Sequence, residues 1–153
     1  EISILGSEWD LTWAHYAASR EMRNGVGENT AMLRGDVFYF LRDRVQSNSV
    51  DAFHMYFPDP WPKKKQQHRR LSYPTMLKEY YRLLKKGGKL YFRTDNADLF
   101  TDSVNYFKEV DLYDIEVIEP FFSENVDYLP PTEYERKFRE KGVDIHLLIA
   151  TKR

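Results

Sequence analysis

Apolar positions recur along this chain in two rhythms, as short runs and as longer stretches with a helical period of about 3.6 residues. Ile2 to Leu5 predicts a strand. Leu11 to Arg23 predicts a helix, with Asp10 placed to cap its start and Asn24-Gly25 to end it. Thr30 to Leu33 predicts a short strand closing at Gly35-Asp36, and Val37, Phe38, Phe40, Leu41 and Val45 are spaced as one helical face. Val50 to Phe57 (VDAFHMYF) lacks clean alternation, as expected of a strand buried on both faces, and stops at Pro58. A helix follows from near Pro74, because proline suits a first turn. Its face is Met76, Leu77, Tyr80, Tyr81 and Leu84, and Gly87-Gly88 should end it. Lys89 to Arg93 predicts a strand closing at Thr94-Asp95-Asn96, and Leu99 to Phe107 a helix. Ile115 to Ile118 and Ile145 to Thr151 predict two late strands, separated by a long loop holding Pro120, Pro130 and Pro131. A loop of that length usually serves a function or moves.

This order predicts an α/β, doubly wound, Rossmann-like sheet, mostly parallel with an antiparallel C-terminal strand. Ligands of such sheets gather at the carboxyl ends of the strands. Four acids fall there: Glu8, Asp36, Asp59 and Asp95. Any one alone reads more simply as a solvated loop acid or a helix cap. Four at successive strand ends point to a site.

A chain of 153 residues suggests one domain with a core of useful size. With 42% apolar and 16% aromatic residues it is not disordered. No run approaches the roughly 20 apolar residues that span a bilayer, and no signal peptide is visible, so a soluble, cytoplasmic protein is expected. The absence of cysteine excludes disulfides, thiolate zinc sites and a cysteine nucleophile. His15, His54, His68 and His146 lack metal-ligand spacing, and no metal is expected. The net charge is −1, from 23 Lys plus Arg against 24 Asp plus Glu, which gives no bulk attraction to nucleic acid. The local distribution differs: Lys63, Lys64, Lys65, Arg69 and Arg70 lie within one stretch that contains no acid.

That basic run follows Phe57-Pro58-Asp59-Pro60-Trp61-Pro62. The prolines fix their own φ and push Asp59 toward extended geometry, so its carboxylate sits on a stiff backbone. Trp61 adds a flat surface that a base could stack on. Taken separately, the segment reads equally as a proline-rich turn with a buried Trp, and the lysines as a solvated face. Together they favour a phosphate backbone held beside a rigid acid.

Phe57 to Arg70 (FPDPWPKKKQQHRR) resembles the signature of the bacterial tRNA (guanine-N7)-methyltransferases. The resemblance continues through Leu90-Tyr91-Phe92-Arg93-Thr94-Asp95 and Thr132-Glu133-Tyr134-Glu135, and covers most of the chain from about Glu8 onward. It implies a class I, S-adenosylmethionine-dependent enzyme, a tRNA (guanine(46)-N7)-methyltransferase acting in the variable loop of tRNA, as a monomer or homodimer. By the same resemblance Glu8 takes the cofactor's ribose hydroxyls and Asp36 lies near its adenine. Asp59 stands as the catalytic residue where cofactor and guanine meet. Lys63, Arg69, Asp95, Thr132, Glu133, Tyr134 and Glu135 are expected at the tRNA, with Arg70 at a phosphate.

The chain departs from that pattern twice. Gln66 stands where the family usually has a histidine, with His68 two positions later. The Glu/Asp-x-Gly-x-Gly-x-Gly loop that closes over the cofactor's methionine part has no counterpart, nor has the strand before it, which lies mid-sheet in the family. A single domain over residues 1–153, incomplete at its N-terminus, is therefore expected, with Glu1-Ile2-Ser3 as a stub of that strand. Two other readings remain open here: a class I methyltransferase with another substrate, and a non-catalytic RNA-binding module derived from one.

Overall fold

A computed structural model describes residues 3–121 and 129–153 of the chain. The expected strand start at Ile2 and part of the loop after Ile118 lie outside the described residues. The structure falls into two compact units that part between Val45 and Gln46.

The first unit contains β1 (Ile4–Glu8), α1 (Leu11–Arg23), β2 (Thr30–Arg34) and α2 (Val37–Arg44). β1 and β2 pair in parallel, from Ile4 opposite Thr30 to Glu8 opposite Arg34. β1 thus runs past the expected Leu5, because Gly6 leaves room for the Met32 side chain, whose Cε would lie 2.6 Å from an added Cβ. α1 has the expected bounds. Asp10 caps it by accepting the amides of Thr12 at 2.8 Å and Trp13 at 3.1 Å, and Gly25 at φ +70° leads the chain away.

The second unit contains β3 (Val50–Tyr56), a 3₁₀ helix (Lys64–Arg69), α3 (Pro74–Leu83), β4 (Leu84–Thr94), α4 (Ala97–Val110), β5 (Tyr113–Ile118), α5 (Glu133–Glu140) and β6 (His146–Lys152). Its sheet has the order β3-β4-β6-β5, with β3 and β4 parallel and β6 antiparallel to both its neighbours. Residues of β4 and β6 alternate between two faces. Leu90, Phe92, Leu148 and Ala150 share one face with the helices, where Phe92 stacks on Phe100 of α4. Tyr91, Leu147 and Ile149 pack on the other against Phe121, Leu129 and Ile145. Each such side chain fully removed from water contributes roughly 1.5–3 kcal/mol.

Three expectations need correction. α3 ends at Leu83, not at Gly87-Gly88: Leu84 is already extended, at φ −61° and ψ 139°, and opens β4. The residues that follow bulge out, since β3 advances from Val50 to Ala52 while β4 advances from Leu84 to Lys89. Gly87 at φ +74° makes that bulge possible. β3 is not buried on both faces: it is an edge strand with Asp51 exposed and His54 exposed in part, its ring covered by Tyr91 and Tyr56. The long loop before β6 also contains a helix, α5. Among the described residues no helix is long and apolar enough to cross a membrane, and no group of three or more His, Asp or Glu could hold a metal ion.

Candidate functional site

In the first unit, both parallel strands end at the same edge. Glu8 closes β1, and its Oε1 accepts the amide of Asp10 at 3.0 Å. Gly35 turns the chain after β2 at φ +144°, and its amide donates to the Glu8 carbonyl at 3.2 Å. Asp36 then caps α2, its carboxylate accepting the Phe38 amide at 2.9 Å. The two acids expected at the cofactor therefore stand at one carboxyl edge, Glu8 half-buried and Asp36 exposed.

In the second unit β3 and β4 end together in the same way, with Tyr56 opposite Arg93. The Phe57 amide extends the ladder to the Arg93 carbonyl at 2.8 Å. The chain then turns sharply at Phe57 (φ +52°), passes Pro58-Asp59-Pro60, and turns again at Trp61 (φ +40°). Aromatic residues rarely take left-handed geometry, which costs about 1–2 kcal/mol each. Neighbours hold both in place. Phe57 stacks on Tyr134 at 5.5 Å between centroids and packs on Phe138 at 5.6 Å. The Arg69 guanidinium lies 5.1 Å from the Trp61 ring centroid. Asp59 is exposed between these two pinned turns.

Lys63 precedes the 3₁₀ helix, and Lys63, Lys64, Lys65, His68 and Arg69 all face solvent. Arg70, expected at a phosphate, instead points inward: it is 3% exposed, donates from Nε to the Pro60 carbonyl at 2.8 Å, and pairs through Nη1 with Asp102 at 2.6 Å. It braces the proline segment against α4. Asp95 follows β4 and is half-buried, beside a polar cleft of about 310 Å³ lined by Pro60, Pro62, Gln67, Arg70, Asp98 and Asp102 among others.

Thr132 caps α5, its Oγ1 accepting the Glu135 amide at 3.0 Å. Glu133 faces solvent and pairs with Arg136 at 2.6 Å, and Tyr134 is 57% exposed beside Phe57. Glu135 differs from the other three. It is 0% exposed, with Oε2 3.4 Å from Nη1 of Arg93, itself fully buried. Arg93 is the residue that the sequence pattern did not mark. Its Nη1 also donates to the Pro130 carbonyl at 3.1 Å, and the rings of Tyr56 and Phe121 lie 4.4 and 4.8 Å from its guanidinium carbon. Burial holds its pKa below the usual arginine value. The available signal was a charge on the buried stretch Leu90-Tyr91-Phe92-Arg93-Thr94.

The second unit thus brings Asp59, Lys63, Arg69 and Asp95 to one end of the β3–β4 pair, and the Phe57–Tyr134 stack joins Thr132 to Glu135 to them. Chemically this offers an acceptor on a stiff backbone, a row of solvent-facing cations, the exposed ring of Tyr134 and the half-buried ring of Trp61.

Over residues 1–148 the chain matches a methyltransferase family model described as "Putative methyltransferase". It is 34% identical over 146 residues to the tRNA (guanine-N(7)-)-methyltransferase of Streptococcus thermophilus, covering 95% of this chain and 68% of the relative. It is 30% identical over 132 residues to that of Clostridium beijerinckii, covering 86% of this chain and 60% of the relative. Among solved structures, a SAM-dependent O-methyltransferase from Thermotoga maritima superposes with a TM-score of 0.65 at 20% identity, over 98% of this chain and 49% of the other. A tRNA (m1A58) methyltransferase from Aquifex aeolicus gives a TM-score of 0.64 at 13% identity, over 99% of this chain and 53% of the other. At such identities the likeness establishes the fold, that of class I methyltransferases, of which the chain spans about half. The family match and the shared sequence together make this chain a member of the tRNA (guanine-N7)-methyltransferase family.

Proposed function

We propose that this chain transfers a methyl group from S-adenosylmethionine to N7 of a guanine in tRNA. The observation that carries the reading is the pinned, exposed Asp59 leading directly into a solvent-facing basic turn, within a chain 34% identical to an enzyme named for that reaction. The same relatives do not favour a non-catalytic RNA-binding module or a different substrate. The finer assignment is guanine 46 of the variable loop, in the cytoplasm.

Guanine N7 carries a free lone pair and no proton, so the reaction needs alignment rather than a strong base. Asp59 is suited to positioning the base, since a carboxylate accepts from the N1 and N2 hydrogens of the guanine Watson–Crick edge, fixing the ring and enriching N7. Lys63, Lys64, Lys65 and Arg69 supply the phosphate contacts, and Asp95, Thr132, Glu133 and Tyr134 the remaining tRNA contacts. Glu8 and Asp36 are fitted to the cofactor's nucleoside by chemistry, since ribose hydroxyls and the adenine amino group are donors and both acids sit at a strand edge as acceptors. The described residues offer no glycine-rich cradle for its methionine part. Bound S-adenosylmethionine supplies a methyl carbon attached to a positively charged sulfur.

The test is transfer of labelled methyl from S-adenosylmethionine to unmodified tRNA transcripts, followed by nucleoside analysis. Label in N7-methylguanosine of the variable loop is the expected result. Label at another atom or base, or none, overturns the reading.

A further inference from the structure

Arg93 is buried at a cost. Its side chain is 0% exposed, yet Nε and Nη2 have no hydrogen-bond partner among the described residues. Buried guanidinium hydrogens without acceptors are unfavourable, and a methionine could fill similar space without that penalty. Its contacts say what the arginine holds. Nη1 reaches the Pro130 carbonyl and the Glu135 carboxylate together, on opposite sides of Thr132, while Tyr56 and Phe121 flank the guanidinium. One residue of β4 thus holds both ends of the Pro130–Glu135 stretch.

We propose that Arg93 is a positioning residue that fastens Pro130–Glu135 to the sheet and so fixes where Thr132 and Tyr134 stand beside the Asp59 loop. Glu135 then serves as the anchor of this segment, which agrees with its complete burial. An ion pair and a hydrogen bond made by one nitrogen give the segment a fixed anchor at Nη1, whereas apolar packing lets a short segment slide. The position matters because Tyr134 stacks on Phe57, and Phe57 sits at φ +52° two residues before Asp59. The part concerning tRNA rests on the function proposed above; the fastening does not.

The test uses the double variant Arg93→Met/Glu135→Leu, which removes both charges and leaves neither buried alone. Its melting temperature should stay close to the parent's. The amides of residues 132–140 should exchange at least about tenfold faster, and KM for tRNA should rise about tenfold with a smaller change in kcat. Parent-like exchange and KM in a folded double variant overturn the proposal. Should that variant fail to fold, Arg93→Lys carries the same measurements: its ammonium keeps the charge but ends one bond short of where Nη1 meets the Pro130 carbonyl and Glu135, and parent-like values there overturn the proposal equally. Should the parent protein methylate no tRNA, the function reading falls, while the exchange data still decide whether Arg93 fastens the segment.

Discussion

Asp59 is exposed and no hydrogen bond among the described residues depends on its side chain, so Asp59→Asn should leave the melting temperature nearly unchanged. In the proposed role it places a donor against the donors of guanine. Turnover on tRNA should then fall by about 100-fold or more, and a variant that keeps full turnover would sink the assignment. His54 makes a different kind of prediction. Its Nδ1 lies 2.6 Å from the Tyr56 hydroxyl, its ring stacks on Tyr91 at 4.8 Å, and burial first, then the Arg93 charge, hold its pKa below the ordinary value. The unfolded chain therefore binds a proton near pH 6.5 that the folded chain does not yet bind. Stability from this source is full above about pH 6.5 and is lost as the pH falls from there toward the folded pKa. His54→Gln, whose amide oxygen can accept from Tyr56, should flatten the denaturation midpoint between about pH 7 and 5. At this scale the acids at strand ends were legible because position and charge are both local properties. Arg93 was not, since pairing with Glu135 joins residues far apart in the chain and no spacing rule reports it.

Elements were legible where a cap or a turn residue marks a boundary. Asp10 starts α1 as expected, whereas α4 starts at Ala97, two residues before the expected Leu99, because the Asn96 side chain caps it by accepting the Leu99 amide at 2.8 Å. Leu84 misled because it continues the apolar spacing of α3, although its burial is met within β4. α5 offered only Tyr134 and Phe138 among charged neighbours, a weak face. Its signal was the Thr132-x-x-Glu135 spacing of a capping box. The bulge in β4 yields a prediction of its own. A Cβ added at Gly88 would lie 2.9 Å from the Lys85 carbonyl and 3.0 Å from that of Asp51, both backbone atoms that cannot swing aside. Gly88→Ala should destabilise the second unit by about 1–3 kcal/mol, read as a lower denaturant midpoint. An unchanged midpoint would mean that the bulge is soft.

For the molecule as a whole the net charge of −1 is a poor guide, because the solvent-facing cations of residues 63–69 act within a screening length of about 8–10 Å. Converting Lys63, Lys64 and Lys65 together to Gln should weaken tRNA binding and reduce the slope of log affinity against log salt by up to about 2–3. All three are exposed, so the melting temperature should hold. A slope unchanged by the triple variant would place the RNA elsewhere. The class of fold was legible from the alternation of elements, whereas the strand order was not, because it depends on pairings between distant segments. That order has a consequence for biosynthesis. β6 comes last among the described strands yet lies between β4 and β5, with Leu147, Leu148 and Ala150 fully buried. While the ribosome is still making residues beyond Ile118, β5 has no neighbour to pair with and one side of β4 is bare. Such unpaired edges are the usual starting points for aggregation. Assembly of this sheet must therefore wait for His146–Lys152, the strand that joins β5 to β4.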